Sequence, residues 1–132
     1  MADAAPLRAF PVVYATAVRA TVAFYERLGF TVFVAVPTPA DPGYVGLRRD
    51  GSELAVVDAS WSGEQFGAPV GDRPRFELFV YVTDVDATVS ALPRGTTVLR
   101  EPADMPWGER VAYVADPDGN PVALAAGASP PP

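Results

Sequence analysis

One ten-residue pattern occurs twice in the chain, at residues 13–22 and again at residues 80–89. Seven of the ten positions are identical after a shift of 67 residues, and both copies read as a strand that runs into a helix. Self-similarity at a fixed offset indicates a duplicated supersecondary unit. Two such units in 132 residues predict a pseudo-symmetric domain with a ligand site between its halves. The identical pairs are Val13/Val80, Tyr14/Tyr81, Thr16/Thr83, Val18/Val85, Ala20/Ala87, Thr21/Thr88 and Val22/Val89.

The first unit, residues 10–58, reads as a strand, a helix over 18–28 and three further strands. Thr16 is placed to cap the helix, and Gly29 is placed to end it. Asp50-Gly51 forms the centre of a hairpin turn between the last two strands. The expected order of elements in this unit is therefore βαβββ.

The second unit, residues 76–125, repeats that order, with Asp84 capping its helix. Its last two strands flank Asp116-Pro-Asp-Gly-Asn120, whose residue types suit a tight turn better than a binding cluster. Residues 59–75 connect the units, and residues 126–132 form a Pro-rich tail. The sequence predicts a single α+β domain, 1–132, made of tandem βαβββ modules.

The residue types that are missing exclude several chemistries. The chain has no Cys and no His, and all ten basic residues are Arg. Thiolate nucleophiles, histidine-dependent serine triads and lysine Schiff bases are therefore excluded. A net charge of −6 argues against a nucleic-acid partner, which needs a basic surface. No apolar run is long enough to cross a bilayer and no signal-peptide pattern opens the chain, so we expect a cytoplasmic protein.

Four segments carry a resemblance to a known family. They are Val22-Ala-Phe-Tyr-Glu-Arg-Leu-Gly-Phe30, Val85-Asp-Ala-Thr-Val89, Pro106-Trp-Gly-Glu-Arg110 and Asp116-Pro-Asp-Gly-Asn120. With the duplication, they make the chain resemble the vicinal oxygen chelate superfamily, which includes glyoxalase I, extradiol dioxygenases and bleomycin-resistance proteins. The resemblance implies paired βαβββ modules that form an open mixed sheet around a cavity. It says little about activity, because this superfamily hosts many functions.

Enzymes of that superfamily hold a metal on cavity-facing strand positions. An ungapped alignment places these positions at Phe10, at or near Ala55, at Glu77 and at Ala123. Three of the four side chains are hydrocarbon, and one carboxylate is too few donors to hold a divalent cation against water. We therefore expect no family-type metal site and no cofactor.

The remaining candidates for a site are mostly aromatic. Period-two alternation places Phe10 and Tyr14 on one strand face, and Glu77, Phe79 and Tyr81 on another. Trp61, Phe66 and Trp107 occupy predicted loops, where we expect ligand or dimer contact. Tyr14 and Tyr81 are equally compatible with a shared packing role, and Glu77 with a structural salt bridge to Arg75 or Arg110. The orientation of Arg110, toward the cavity or the loop, stays open. The predicted ligand-binding set is Phe10, Tyr14, Trp61, Phe66, Glu77, Phe79, Tyr81, Trp107 and Arg110.

Resemblance to the metal-free bleomycin-resistance branch implies sequestration of an aromatic drug of bleomycin, anthraquinone or enediyne type. It also implies a homodimer with clefts at the interface, with exchange of an N-terminal strand left open. The alternatives are a metal-independent enzyme on a small carbonyl or polyketide-like substrate, with Glu77 as general base, and a regulatory module without a ligand.

Overall fold

A computed structural model describes residues 9–63, 69, 71 and 77–127. It contains eight strands, two α-helices and a 3-10 turn at Ala59–Trp61 within those ranges. The first module comprises β1 (Val12–Ala15), α1 (Val18–Glu26), β2 (Thr31–Val36), β3 (Tyr44–Arg49) and β4 (Ser52–Asp58). The second comprises β5 (Leu78–Tyr81), α2 (Val85–Ser90), β6 (Val98–Asp104), β7 (Arg110–Ala115) and β8 (Pro121–Ala126). None of the helices in the described ranges is long and apolar enough to span a membrane.

The strands form two four-stranded mixed sheets with the same topology. The first sheet has the order β1-β4-β3-β2 and the second has the order β5-β8-β7-β6. In each sheet the first strand pairs parallel to the last, and the other pairs are antiparallel. The predicted α+β fold of tandem βαβββ modules is confirmed.

One large hydrophobic core cluster joins the two sheets. Val13, Tyr25 and Leu54 from the first module and Val80 and Leu124 from the second belong to one buried cluster. Because side chains alternate along a strand, the strand residues that do not face this core point to the opposite side of each sheet. We call those opposite sides the open faces. The open face of the first sheet carries Val12, Tyr14, Tyr44, Gly46, Arg48, Ala55 and Val57, and that of the second carries Phe79, Tyr81, Val111, Tyr113, Ala123 and Ala125.

Most of the local signals in the sequence operate as predicted. Gly29 follows α1 with a φ of 93°, a conformation that costs glycine little. Asp50 takes a φ of 51° in the predicted hairpin turn. The side chain of Asp84 caps α2 by accepting a hydrogen bond from the backbone N–H of Ala87 at 3.0 Å. These signals are local, so they do not depend on how the modules pack.

The prediction that Thr16 caps α1 is wrong. The N-cap residue is Ala17, which makes no side-chain capping bond. The Thr16 hydroxyl instead donates to Oδ1 of Asp118 at 2.8 Å, and the Thr16 backbone N–H donates to the same carboxylate. The Thr16 hydroxyl therefore forms a contact between the two modules and is not available to cap α1.

Each module contacts the other through the hairpin of its last two strands, β3–β4 in the first module and β7–β8 in the second. Asp118, in the β7–β8 turn, binds Thr16 at the end of β1. Arg49, at the β3–β4 turn, donates from Nε to the carbonyl of Leu28 at 2.8 Å and from Nη2 to the carbonyl of Tyr81 at the end of β5. Since β1 and β5 are equivalent strands, these contacts are reciprocal, and each covers part of a free sheet edge.

A buried hydrogen-bond network adds to the contact between the β7–β8 turn of the second module and α1 of the first. The hydroxyl of Tyr25 on α1 donates to Oδ2 of Asp116 at 2.9 Å. The same carboxylate accepts the backbone N–H groups of Asp118 and Asn120 and the side-chain amide of Asn120. Burial, and then the adjacent Asp116 carboxylate, raise the pKa of Tyr25 far above its usual value.

Replacing Tyr25 with Phe should therefore destabilise the fold by about 1.5–3 kcal/mol, because a hydrogen bond to a charged group is lost. In the wild type, only the unfolded chain releases the Tyr25 proton once the pH exceeds about 10. The contribution of Tyr25 is thus complete below pH 10 and should fall above it by up to about 1.4 kcal/mol per pH unit. Urea unfolding at several pH values would measure both effects. A Tyr44→Phe control should still lose stability above pH 10. If Tyr25→Phe also loses stability above pH 10, the loss cannot be assigned to Tyr25.

The duplication supplies a second, internally controlled test at Thr21 and Thr88. The hydroxyl of Thr88 donates to the carbonyl of Asp84 at 2.7 Å. The equivalent Thr21 is fully buried on α1, and its hydroxyl finds no hydrogen-bond partner among the described residues. An unpaired buried hydroxyl costs about 1–3 kcal/mol, whereas a paired one stabilises by roughly 1 kcal/mol.

Thr21→Val should accordingly raise the free energy of unfolding by about 1 kcal/mol, and Thr88→Val should lower it by a similar amount. Both substitutions replace one β-branched residue by another of similar shape within a helix. Chemical denaturation of the two variants beside the wild type gives the comparison. Equal losses in both would mean that a buried water pairs with the Thr21 hydroxyl.

Candidate functional site: the open face of the second sheet

The open face of the second sheet presents three large aromatic side chains to solvent. Phe79 and Tyr81 project from β5 with ring centroids 5.3 Å apart and planes inclined by 53°. Their exposed fractions are 41% and 55%, and that of Trp107 in the β6–β7 turn is 58%. Exposed aromatic surface of this kind is characteristic of ligand or protein contact. We refer to Phe79, Tyr81 and Trp107 as the aromatic patch.

Small residues lie beside the patch on the neighbouring strand. Phe79 pairs with Ala123 and Tyr81 pairs with Ala125 across the parallel β5–β8 ladder. Both alanines are fully buried, in a small cluster that also contains Val111 and Met105. The two rings therefore have only methyl groups beside them on β8, which leaves their exposed surfaces available for contact.

Glu109 links the members of the patch, and the sequence analysis did not identify it. The indole Nε1 of Trp107 donates to Oε1 of Glu109 at 2.8 Å. A hydrogen bond to the same carboxylate, followed by partial desolvation, raises the pKa of the Tyr81 phenol. Alternation along β7 would have revealed it, since Glu109 shares its strand parity with Val111 of the open face. One carboxylate thus orients two aromatic rings.

A cleft of about 600 Å³ opens beside the patch, between the two modules. Phe79 and Tyr81 form part of its wall, and the β3–β4 hairpin contributes Arg49 and Glu53. Its volume lies within the range of small-molecule sites. Aromatic surface and charged groups therefore border the same space.

Three other predicted site residues are not part of the aromatic patch. Phe10 and Tyr14 are half-buried and belong to the first module. Trp61 is half-buried against Gly43, where an added Cβ would lie only 1.9 Å from the indole Cζ2. Phe66 lies outside the described residues.

Two polar side chains, Glu77 and Arg110, are also among the predicted site residues. Glu77 is exposed and directly precedes β5. Arg110 uses all three guanidinium nitrogens on carboxylates, with Nε and Nη2 bound to Asp86 at 2.6 and 2.9 Å and Nη1 bound to Asp104 at 3.1 Å. This pairing lowers the pKa of Asp86 and raises that of Arg110. Arg110 therefore ties α2 to β6 rather than forming the salt bridge to Glu77.

The side chains at the family's metal positions do not fit a divalent cation. Ala55 and Ala123 are fully buried methyl groups on the two open faces, and neither offers a donor atom. Within the described ranges there is no group of three or more acidic side chains close enough to hold a metal ion. A metal ion needs several oxygen, nitrogen or sulfur donors at fixed geometry.

Known structures share this fold at low sequence identity. A glyoxalase-related enzyme from Fulvimarina pelagi is 25% identical, with a TM-score of 0.71 over 92% of this chain and 89% of that one. TioX from Micromonospora sp. ML1 is 21% identical, with a TM-score of 0.67 over 95% and 99% of the two chains. A lactoylglutathione lyase from Agrobacterium tumefaciens is also 21% identical, with a TM-score of 0.66 over 92% and 95%.

No curated protein matches the sequence. The profile of the Glyoxalase/Bleomycin resistance protein/Dioxygenase superfamily matches residues 9–124. This match covers both βαβββ modules and agrees with the architecture of the solved structures. The chain therefore belongs to the Glyoxalase/Bleomycin resistance protein/Dioxygenase superfamily.

Proposed function

We propose that the chain is a metal-free binding protein of the bleomycin-resistance type, which protects its host by sequestering an aromatic or polycyclic drug. The observation that carries this proposal is the aromatic patch, whose three rings are partly exposed on the open face of the second sheet. Bleomycin-like compounds, anthraquinones and enediynes are the ligand classes that suit such a surface.

The physical argument rests on the balance between aromatic surface and reactive groups. Planar ligands gain about 0.5–1.5 kcal/mol for each ring that they stack on, beyond the gain from buried area. The hydrogen bond between Glu109 and Trp107 fixes one ring before any ligand arrives, which reduces the ordering cost of binding. The patch is therefore better prepared for holding a molecule than for changing it.

The proposed assembly is a homodimer whose binding clefts lie at the interface. The patch is too exposed in a single chain to enclose most of a drug-sized ligand, as ligand sites usually do. A second copy would supply the opposite wall. Exchange of an N-terminal strand belongs to the same proposal and would add to the interface.

The alternative function is a metal-independent enzyme with Glu77 as general base. A carboxylate becomes an effective base near neutral pH when an apolar environment desolvates it. Glu77 is exposed in the single chain, which favours binding over catalysis. A planar carbonyl or polyketide-like substrate would nevertheless use the same aromatic patch.

Titration with representative bleomycins, anthraquinones and enediynes, followed by tryptophan fluorescence, tests sequestration. Binding should quench Trp107, so quenching should persist in Trp61→Phe and disappear in Trp107→Phe. Phe79→Leu should weaken binding roughly tenfold, because it removes one of the three rings of the aromatic patch. Leu99→Ala, which alters another exposed apolar residue of the second sheet, is the matched control. If no class binds, or if Phe79→Leu binds as tightly as the wild type, the proposal fails.

Glu77→Gln separates the two functions. Sequestration should survive this substitution with at most a few-fold loss of affinity, whereas turnover by a general base should vanish. Mass spectrometry of the ligand after incubation gives the readout. An unaltered ligand supports sequestration, while a product formed by the wild type and absent with Glu77→Gln establishes the enzyme.

A further inference from the structure

The two modules carry the same dipeptide in equivalent hairpin turns. Asp50-Gly51 joins β3 to β4, and Asp118-Gly119 lies in the turn between β7 and β8. An aspartate that precedes a glycine can rearrange without an enzyme, because glycine has no Cβ to shield its own backbone nitrogen. In a folded chain, the rearrangement depends on how firmly the carboxyl group and that nitrogen are held.

Both reacting groups are held in the turn of the second module. The Asp118 carboxylate accepts hydrogen bonds from the backbone N–H and from the hydroxyl of Thr16, the latter at 2.8 Å. The backbone N–H of Gly119 donates to the carbonyl of Asp116 at 2.9 Å. A reaction between Asp118 and Gly119 would therefore require a contact between the modules and a bond within the turn to break first.

Neither group is held in the turn of the first module. Asp50 is exposed, and its carboxylate makes no hydrogen bond or ion pair with the residues that the structure describes. Within the same ranges, the backbone N–H of Gly51 has no hydrogen-bond acceptor. A Cβ added at Gly51 would meet nothing within 4 Å, so the space beside this residue is open. The carboxyl group and the nitrogen are thus both free to move toward each other.

We propose that Asp50-Gly51 is a site of spontaneous isomerisation of aspartate to isoaspartate, whereas Asp118-Gly119 is protected by its contacts. The Gly51 nitrogen attacks Cγ of the protonated Asp50 carboxyl group, and the N–H proton and the carboxyl hydroxyl leave as water to give a cyclic imide. Water then opens the imide. Attack at Cγ restores aspartate, whereas attack at the main-chain carbonyl carbon of Asp50 leaves a chain that runs through Cβ and Cγ. Water is the only co-reactant.

The modification changes a contact between the modules. Arg49, directly before Asp50, donates to the carbonyl of Leu28 at 2.8 Å and to the carbonyl of Tyr81. Isoaspartate adds one backbone carbon to a short turn that is closed by the pair Arg49 and Ser52. Turn length fixes the register of a hairpin, so the added carbon displaces Arg49. We therefore expect the modified chain to lose the bond to Tyr81 and to be less stable.

Storage of the purified, folded chain for several weeks at neutral pH and body temperature tests this proposal. An isoaspartyl methyltransferase with a labelled methyl donor detects isoaspartate, and a peptide digest separates the two turns. Isoaspartate should form at Asp50 roughly tenfold or more faster than at Asp118, because Asp118 must first lose its hydrogen bonds by local opening. In urea, where neither turn is folded, the two rates should become similar.

Gly51→Ala is the matched control, since its methyl group meets no neighbour and should slow the reaction without disturbing the turn. Asp50→Asn should accelerate ring closure, with loss of ammonia in place of water, and asparagine tolerates the φ of 51° at this position. Circular dichroism must first show that both variants are folded. Stored wild type should unfold at a lower urea concentration than fresh protein, whereas stored Gly51→Ala should not.

Equal accumulation of isoaspartate at Asp50 and Asp118 in the folded chain would overturn the proposal. A preference for Asp50 that persists unchanged in urea would also overturn it, because the cause would then be the local sequence. Isoaspartate at Asp50 without a change in the urea midpoint would overturn the effect on Arg49 alone. None of these measurements involves a ligand, so their outcome is independent of the proposed function.

Discussion

The hydrogen bond from Tyr25 to Asp116 is the contact on which the relation between the two modules depends. It lies inside the shared core, and the same carboxylate organises the β7–β8 turn through three further hydrogen bonds. The turn in turn holds Asp118 against Thr16. Burying a carboxylate is favourable only when its oxygens are paired, so the fold must keep α1 and the turn in register. The mutual position of the two sheets, and hence of their open faces, follows from that requirement.

The repeat made the fold predictable to a large extent. Seven shared positions in ten residues, read with capping and turn residues, are enough to give the order of strands and helices in both modules. What could not be predicted is the set of contacts between modules, because residues far apart in sequence make them. Thr16 illustrates the difference, since its local environment is that of a helix cap while Asp118, 102 residues away, takes its hydroxyl. The bulges in β6 (Val98–Asp104) are likewise set by its pairing with β7.

The site was predictable only in part, for a related reason. Alternation along β5 was sufficient to place Phe79 and Tyr81 on one face, and the structure brings their rings together. Alternation cannot tell which sheet faces which, so Tyr14, although equivalent to Tyr81, lies on a different open face. Glu109 was not predicted because its role depends on a contact with Tyr81, which is remote in sequence, and its side chain lies on the opposite side of β7 from that of Arg110. Arg110 serves the packing of α2, whereas Glu109 orients the rings.

The two alanines beside Phe79 and Tyr81 have a consequence for how this surface could change over evolution. Ala123 and Ala125 are completely enclosed, so any larger side chain there would have to displace its neighbours, among them the rings across the β5–β8 ladder. A single methylene added on β8 would therefore alter the tilt of the aromatic pair without altering either ring. Selectivity among flat molecules could in this way be adjusted by buried residues of the neighbouring strand that no ligand touches.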